Sequence, residues 1–503
     1  MAHQLARSSS VLLEDLVDAP LLPRGRMECL LDSGSLQLLR TRVRSRSLGD
    51  RAHEGDGVLT GIGTVDGRPV ACYAQDARVA GGSLGEAQAD AIVRLLGIAR
   101  DAGIPVVSFM ESSGARIQEA VAALTGYARI FHEIVALSRF VPQISIVTGV
   151  CAGGSAYAPA LSDFVIMTEP AAMFLTGPRI VRAACGEDVT IAELGGSRIH
   201  RANGVCQLVA ADDNEAAAQA CRLLSYLPQN AHEHVVPTVA LDQPVCDPGM
   251  LLPSRPSAVY DVRDVVRALA DRTDFLEIDA RWARNLVTGF ARIGGYAVGV
   301  LANQPRYIGG VIDTHASEKA ARFIGLCDAY ALPLVVLVDT PGFMPGTRQE
   351  DEGIIHRGAS MVKAFASARV PRFTVILRKA YGGAYIAMNS MQLGATITYA
   401  WPDAEIGVMD ARSAVSLIHR AALAEADDPE ELLGSLASAY HSEHCAALVA
   451  AQNGFVDEVI APVQTRPRLC SALAAFSARR GSPQASTLFA LNRLSAELDA
   501  VGA

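Results

Sequence analysis

The sequence predicts an α/β protein built as two tandem copies of one unit. Stretches of the chain recur at a fixed offset, buried strands alternate with amphipathic helices in each copy, and each copy runs a strand into a glycine pair. DGRPVACYAQ around Gly67 matches GGYAVGVLAN around Gly295, 228 residues on. GGSLGEAQADAIVRLLGIARDAGIPVV from Gly81 matches GGVIDTHASEKAARFIGLCDAYALPLVV from Gly309 at the same 228. Pro105 and Pro333 keep that offset, as do Gly114 and Gly342. After one inserted residue it becomes 229, relating Pro142 to Pro371 and Gly153 to Gly382. Two homologous halves therefore explain 503 residues better than the three unrelated domains that length alone suggests.

In chain order, each copy opens with a short strand pair and an amphipathic helix. A buried strand follows, of the form Pro-apolar-apolar-apolar, ending at an acid: Glu111 in SFMESSG and Asp339 in VLVDTPG. A second helix is expected over Thr125–Phe140 in one copy and Gly358–Arg369 in the other. The β-rich runs ISIVTG and FTVILR come next and lead into the glycine pairs and a further helix. Prolines cluster between Leu223 and Pro256, which reads as the connection between copies. The expected boundaries are an N-terminal helical extension over 1–30, a first domain over 31–230, a linker over 231–256 and a second domain over 257–503. The last ~25 residues read as peripheral helix.

Composition narrows the function classes. Half the residues are hydrophobic and 19% charged, which is ordinary for a globular chain and excludes disorder or coiled coil for its bulk. The net charge of −9 argues against nucleic acid or an anionic membrane as the main partner. No apolar run approaches the ~18–20 residues a membrane span needs. The ten cysteines contain no C-x-x-C, and no other metal-ligand spacing stands out, so no metal is expected. The N-terminus lacks the apolar core of a secretory signal, and a cytoplasmic setting with reduced thiols follows. Arginine outnumbers lysine heavily, with lysine only at 319, 363 and 379, as a coding bias would produce. The run RTRVRSRSLGDR from Arg40 to Arg51 reads as a solvated basic loop.

The chemistry is carried by Cys151-Ala152-Gly153-Gly154-Ser155-Ala156-Tyr157 and Lys379-Ala380-Tyr381-Gly382-Gly383-Ala384-Tyr385. Glycines between a buried strand and a helix allow a sharp turn and close approach of a ligand. The free N–H groups of the helix start then face that ligand, a geometry that stabilises an oxyanion. One such pair alone would read as close packing. Two at matching positions of a duplicated chain favour two oxyanion sites.

These residues resemble the carboxyltransferase (β) subunit of biotin-dependent acyl-CoA carboxylases, of the propionyl-CoA carboxylase β-chain type. The resemblance runs from about Arg24 to Leu473 and rests on GGSLGE, SGARIQE, VPQIS, AGGSAY-PAL, SDFVIM, FLTGP, GEDVT-ELGG, LANQP, SEKAARF, VD-PGF-PG, RKAYGGAY and YAWP-AEI-VM. It implies two tandem crotonase-like (ClpP/crotonase ββα spiral) domains, the first holding a short-chain acyl-CoA and the second biotin. It also implies a homo-hexamer whose sites join one subunit's first half to another's second. Biotin would arrive on a separate biotin carboxylase/biotin carboxyl carrier subunit, because the chain has no Met-Lys-Met-type attachment site and no ATP-binding glycine loop. By position, Gly153 and Gly154 would hold the thioester oxygen, with Ala152, Ser155, Tyr157, Gly114 and Ala115 about the acyl group. Gly383 and Ala384 would hold the biotin ureido oxygen, flanked by Gly382, Tyr381, Phe343 and Pro345. Arg78, Arg116 and Lys319 are the cations offered to the CoA phosphates. Carbon dioxide would pass from carboxybiotin to the α-carbon of the acyl-CoA without a side-chain nucleophile. Glu111, Glu119 and Asp339 are accordingly read as structural.

The chain departs from the family's pattern in places. Ile386 stands where propionyl-preferring members carry Asp, which points to a different acyl preference. Asp410 replaces a glycine, Arg412-Ser413 a Glu-Gly, and His356-Arg357 reverses an Arg-His; Gln207 replaces a His and Arg179 an Asp. Two other functions stay open at this point. One is the α-subunit of a decarboxylase, which moves CO₂ from acyl-CoA to biotin. The other is a non-catalytic scaffold, against which both intact glycine pairs count.

Overall fold

Hydrogen-bonding along each copy produces the same sheet twice. The computed structural model describes residues 21–239, 247–255 and 258–477. The first sheet comprises β1 (Gln37–Leu39), β2 (Val58–Val65), β3 (Arg68–Gln75), β4 (Val106–Ser112), β5 (Gln143–Ala152), β6 (Phe164–Thr168), β7 (Ala172–Phe174) and β8 (Leu208–Ala210). The second comprises β9 (Phe275–Ile278), β10 (Leu286–Ile293), β11 (Tyr296–Asn303), β12 (Leu334–Thr340), β13 (Arg372–Tyr381), β14 (Ile397–Ala400), β15 (Glu405–Gly407) and β16 (Glu458–Val459). Their orders are β1-β2-β3-β4-β5-β6-β8 with β7 on β5, and β9-β10-β11-β12-β13-β14-β16 with β15 on β13. In both, the first three strands are antiparallel and the rest parallel, with helices in the crossovers.

Strand register carries the repeat down to single residues. Ala71 faces Val106 and Gly299 faces Leu334, so the offset of 228 holds across that pair. Val106 then faces Gln143 and Leu334 faces Arg372, which locates the one-residue insertion between β4 and β5 relative to their counterparts. Each pair carries the same irregularity near its C-terminal end, where Ser112 faces Cys151 and Thr340 faces Ala380. The loops after β3 and β11 obey the same steric limit. A Cβ on Gly82 would lie 2.4 Å from the Glu111 carbonyl oxygen, and one on Gly310 would lie 2.5 Å from that of Asp339. Both glycines have positive φ, so the loop packs against the strand end only with glycine.

The two compact units are Met1–His234 with Asp279–Trp282, and Val235–Ile278 with Ala283–Ala503. The first has a core of β-strand residues such as Val106, Val147 and Val165 against Ile92, Leu95, Ile130 and Ile134 of the helices. The second is centred on Val300, Val335, Leu337, Phe373, Val375 and Trp401. These continuous apolar strands are what a sheet covered on both faces requires.

Several boundaries differ from expectation. The second helices run over Ala120–Leu137 and Ile354–Ser367, starting several residues early; tertiary packing rather than local propensity sets these starts, since Val121, Ile354 and Ile355 are only moderate helix formers and Ile354 is buried. Leu223–Tyr226 belongs to the helix Asp213–Tyr226, so the connection begins after it. Residues 240–246 and 256 of the expected linker, residue 257 of the expected second domain, residues 1–20 of the extension and residues 478–503 lie outside the described residues. Among the described residues one helical stretch, Ile117–Leu137, is by length and composition apolar enough to cross a membrane, although polar residues interrupt its sequence. It carries Arg129, His132 and Glu133, and buries Tyr127, Ile130 and Ile134 in the first core.

Phe373 has no exposed surface and lies in the Trp401 cluster. Phe373→Ala is expected to lower unfolding free energy by ~3–5 kcal/mol, read by denaturant titration of tryptophan fluorescence.

Candidate active site

Strands β4 and β5 end side by side, and the loops that leave them form the candidate site of the first unit. The Leu84 N–H donates to the Gly114 carbonyl (2.8 Å), and the Arg116 N–H donates to the Leu84 carbonyl (2.9 Å), making Leu84 and Ala115 a parallel bridge. In such a bridge the residue between the two bonded positions points its own N–H away from the partner strand. The Ala115 N–H is therefore turned to the side opposite Leu84, where the β5 turn lies. A Cβ on Gly114 would sit 3.1 Å from the Ala152 carbonyl oxygen, and one on Gly153 would sit 4.0 Å from the Gly114 Cα. The turn needs glycine at 153, where φ is +62°, and opens a short helical run over Gly153–Ala156. N–H groups of a first helical turn have no partner within the helix. Ala115 and Gly154 thus present two backbone donors to one space.

The second unit repeats this construction. The Ile312 N–H donates to the Gly342 carbonyl (3.0 Å), and the Met344 N–H donates to the Ile312 carbonyl (2.8 Å), leaving the Phe343 N–H turned outward. Opposite it, Gly382 at φ +56° starts the helix Gly382–Ala387, whose first turn includes Gly383 and Ala384. By register Gly154 corresponds to Gly383, and Ala115 to Phe343. The two glycines differ in one respect. A Cβ on Gly154 would meet the Tyr127 ring at 2.9 Å, whereas one on Gly383 would meet only the Phe343 ring, at 3.7 Å. Packing demands glycine at 154. At 383 it does not, and Gly383 is exposed.

Other predicted site residues sort into accessible and committed ones. Ala152 and Gly114 shape the first turn, Tyr157 is half exposed with its ring edge-on to Phe131, and Pro345 and Ile386 are exposed beside the second turn. Arg78 is exposed and paired with Asp76. Ser155 is buried, its hydroxyl donating to the carbonyls of Ala152 (2.7 Å) and Ser112 (3.2 Å), so its side chain is unavailable to substrate. Tyr381 is likewise turned inward; its hydroxyl donates to Glu405, and burial and that carboxylate push its phenol pKa far up.

Two of the three cations offered to phosphate are corrected outright. Lys319 is buried, with Nζ donating to the Leu286 carbonyl at 2.7 Å. Arg116 is buried, with Nη1 between the carboxylates of Asp56 (2.7 and 2.9 Å) and Glu119 (2.9 Å) and Nη2 on the Ser83 carbonyl (2.9 Å). Neither turns a charge to solvent; motif order alone does not say which face of a helix or loop a cation occupies.

The acids hold structure, as read from the sequence. Glu111 accepts from Arg26, and Asp339 from Arg378 and the Tyr260 hydroxyl. Burial pushes the Asp339 carboxyl pKa up, against the pull of those two partners. Asp410, the residue in place of a glycine, is the N-cap of Ala411–Ile418, accepting from the Ser413 N–H. Gln207 is buried, taking the Val165 N–H and reaching Asp279. Sequence reasoning missed both Ala115 and Phe343 as backbone donors, placing them only near the acyl group and the biotin; the bridges to Leu84 and Ile312 reveal them.

The chain is similar to known proteins over most of its length. The family described as carboxyl transferase domain matches residues 19–486. The propionyl-CoA carboxylase beta chain of Saccharopolyspora erythraea is 44% identical over 479 residues, 91% of this chain and 88% of that one. The methylmalonyl-CoA decarboxylase subunit alpha of Veillonella parvula is 43% identical over 466 residues, covering 91% and 90%. The crystal structure of a transcarboxylase 12S hexamer with methylmalonyl-coenzyme A and methylmalonic acid bound superposes with TM-score 0.89 at 43% identity, covering 95% of both chains.

Burial would raise the Glu119 carboxyl pKa, but the Glu86 N–H, Ser45, Ser47 and Arg116 outweigh it and hold it below the usual range. That stabilisation is present above the unfolded pKa of about 4.3 and is lost as pH falls through the folded value. Glu119→Gln is expected to lower the Tm at pH 7, with the gap to the parent closing toward pH 3 in calorimetric scans.

Proposed function

The chain belongs to the carboxyl transferase domain family, and from that premise we propose how its two donor pairs divide the reaction. It is a biotin-dependent acyl-CoA carboxyltransferase with two tandem crotonase-like domains. The pair Ala115 and Gly154 holds the thioester oxygen of a short-chain acyl-CoA. The pair Phe343 and Gly383, with Ala384 beside it in the same turn, holds the ureido oxygen of biotin carried by a partner biotin carboxylase/carrier subunit. The product is a malonyl-CoA-type thioester. By likeness to the 12S assembly the working form is a homo-hexamer, and a cytoplasmic setting accords with unpaired thiols at the nine described cysteines.

The observation that carries the second assignment is the room at Gly383, a first-turn position where the protein's own packing would admit a methyl group. Glycine there fits the close approach of a planar ureido ring to the backbone. Bound biotin would supply the carboxyl group to be moved and, once that has left, a base for the α-proton. The chain's own part is electrostatic. As the α-proton leaves, charge accumulates on the thioester oxygen, and N–H groups already aimed at that oxygen bind it more tightly than the neutral carbonyl. Each such donor is typically worth ~3–4 kcal/mol of barrier. No side chain needs to gain or lose a proton, which accords with Glu111, Glu119 and Asp339 being spent on arginines. Ile386, exposed one turn after Gly383, presents an apolar side chain beside the second donor turn.

Mixing the chain with a biotin carboxylase/carrier subunit, ATP, bicarbonate and a panel of acyl-CoAs is expected to carboxylate at least one of them. The likeness to the Veillonella decarboxylase subunit favours a second reading, with net flow from acyl-CoA to biotin. Failure of every acyl-CoA to gain carboxylate, with a malonyl-type CoA instead losing it to the carrier, would establish that direction. Gly383→Ala is expected to keep the parent Tm and lose at least tenfold in transfer rate; full activity would remove Gly383 from the second donor pair.

A further inference from the structure

The buried Arg116 cluster exists in only one of the two units. At the corresponding position of the second unit stands Met344, whose backbone makes the same bridge to Ile312 that Arg116 makes to Leu84. The bridge itself therefore does not require a guanidinium. A buried ion pair costs desolvation and is commonly no more stable than apolar packing of similar volume. Stability alone therefore does not single out an arginine here.

The cluster's contacts say what it fixes. The guanidinium ties the Ser83 carbonyl of one loop to Asp56 and Glu119. Those carboxylates also cap the helix Glu86–Ala102: Glu119 takes the Glu86 N–H at 2.6 Å and Asp56 takes the Gln88 N–H at 3.1 Å. Gly85 at that N-cap has no side chain of its own, and a Cβ there would lie 2.3 Å from the Arg116 Nη1. In the second unit the equivalent residue, Asp313, caps its helix directly. The first unit thus has no side-chain cap at Gly85, and the space holds a guanidinium fixed by Asp56, Glu119 and the Ser83 carbonyl, on the residue that follows Ala115. With two carboxylates against one guanidinium the cluster has no positive charge to lend an anion, so its effect is geometric.

We propose that Arg116, held by Asp56 and Glu119, is a positioning residue that fixes the Ala115 N–H for the charged oxygen of the acyl-CoA enolate. The inference rests on the acyl-CoA reading of the first donor pair. A misaimed N–H loses more with a full negative charge than with a neutral carbonyl, so the brace acts on the transition state more than on ground-state binding.

The test compares two ligands on the whole assembled protein by calorimetry, with fitted stoichiometry correcting for inactive material. One is a saturated acyl-CoA. The other is a coenzyme A thioether bearing a nitronate in place of the enolised thioester. The parent is expected to prefer the nitronate. Arg116→Met, which installs the second unit's residue, is expected to weaken nitronate binding at least tenfold and acyl-CoA binding less than twofold, with Arg116→Lys recovering part of the loss. Parallel weakening of both ligands, or an unchanged preference, would overturn the inference. If Arg116→Met does not fold, Asp56→Asn gives the same comparison. A parent protein that binds neither ligand would instead overturn the acyl-CoA reading itself.

Discussion

Both donor pairs depend on one constraint of parallel pairing: a residue bridged through its neighbours' bonds must point its own N–H the other way. At Ala115 and Phe343 this turns a backbone donor toward the glycine turn that follows the adjacent strand. The register between β4 and β5, and between β12 and β13, then decides whether the two donors meet, because a slip of one residue would reverse the direction of every peptide. Most of the buried apolar strand surface can be understood as holding that register.

The halves share this frame and differ in how it is supported. Glu111 and Asp339 occupy the same repeat position at the strand ends, and each is matched by an arginine from a different place: Arg26 in the first unit, Arg378 in the second. The first donor loop is braced by the Arg116 cluster. The second is lined by the Phe343 ring and leaves Gly383 open. One scaffold therefore carries a tightly packed glycine turn at Gly154 and a roomier one at Gly383.

Much of the fold was legible because duplication supplies an internal control. The offsets of 228 and 229 related the two halves residue by residue, and the strand registers repeat at those offsets; the glycine pairs stood out because they recurred. Side-chain direction was not legible. Arg116 and Lys319 read as free cations because arginine and lysine are ordinarily exposed, yet the fold turns both inward, and Ser155 and Tyr381 likewise face the core. The Ala115 and Phe343 donors were hidden for another reason: a backbone N–H leaves no residue-type signature, and only the bridges to Leu84 and Ile312 show where each points. Asp410 shows the reverse case, where an apparent departure from the family pattern is a helix cap.

The most direct measurement is a crystal structure of the assembled protein with a non-reactive acyl-CoA thioester bound. The two-donor account predicts the thioester oxygen within about 2.7–3.1 Å of both the Ala115 and the Gly154 nitrogens. A thioester oxygen held by side chains, or lying against neither peptide, would contradict it.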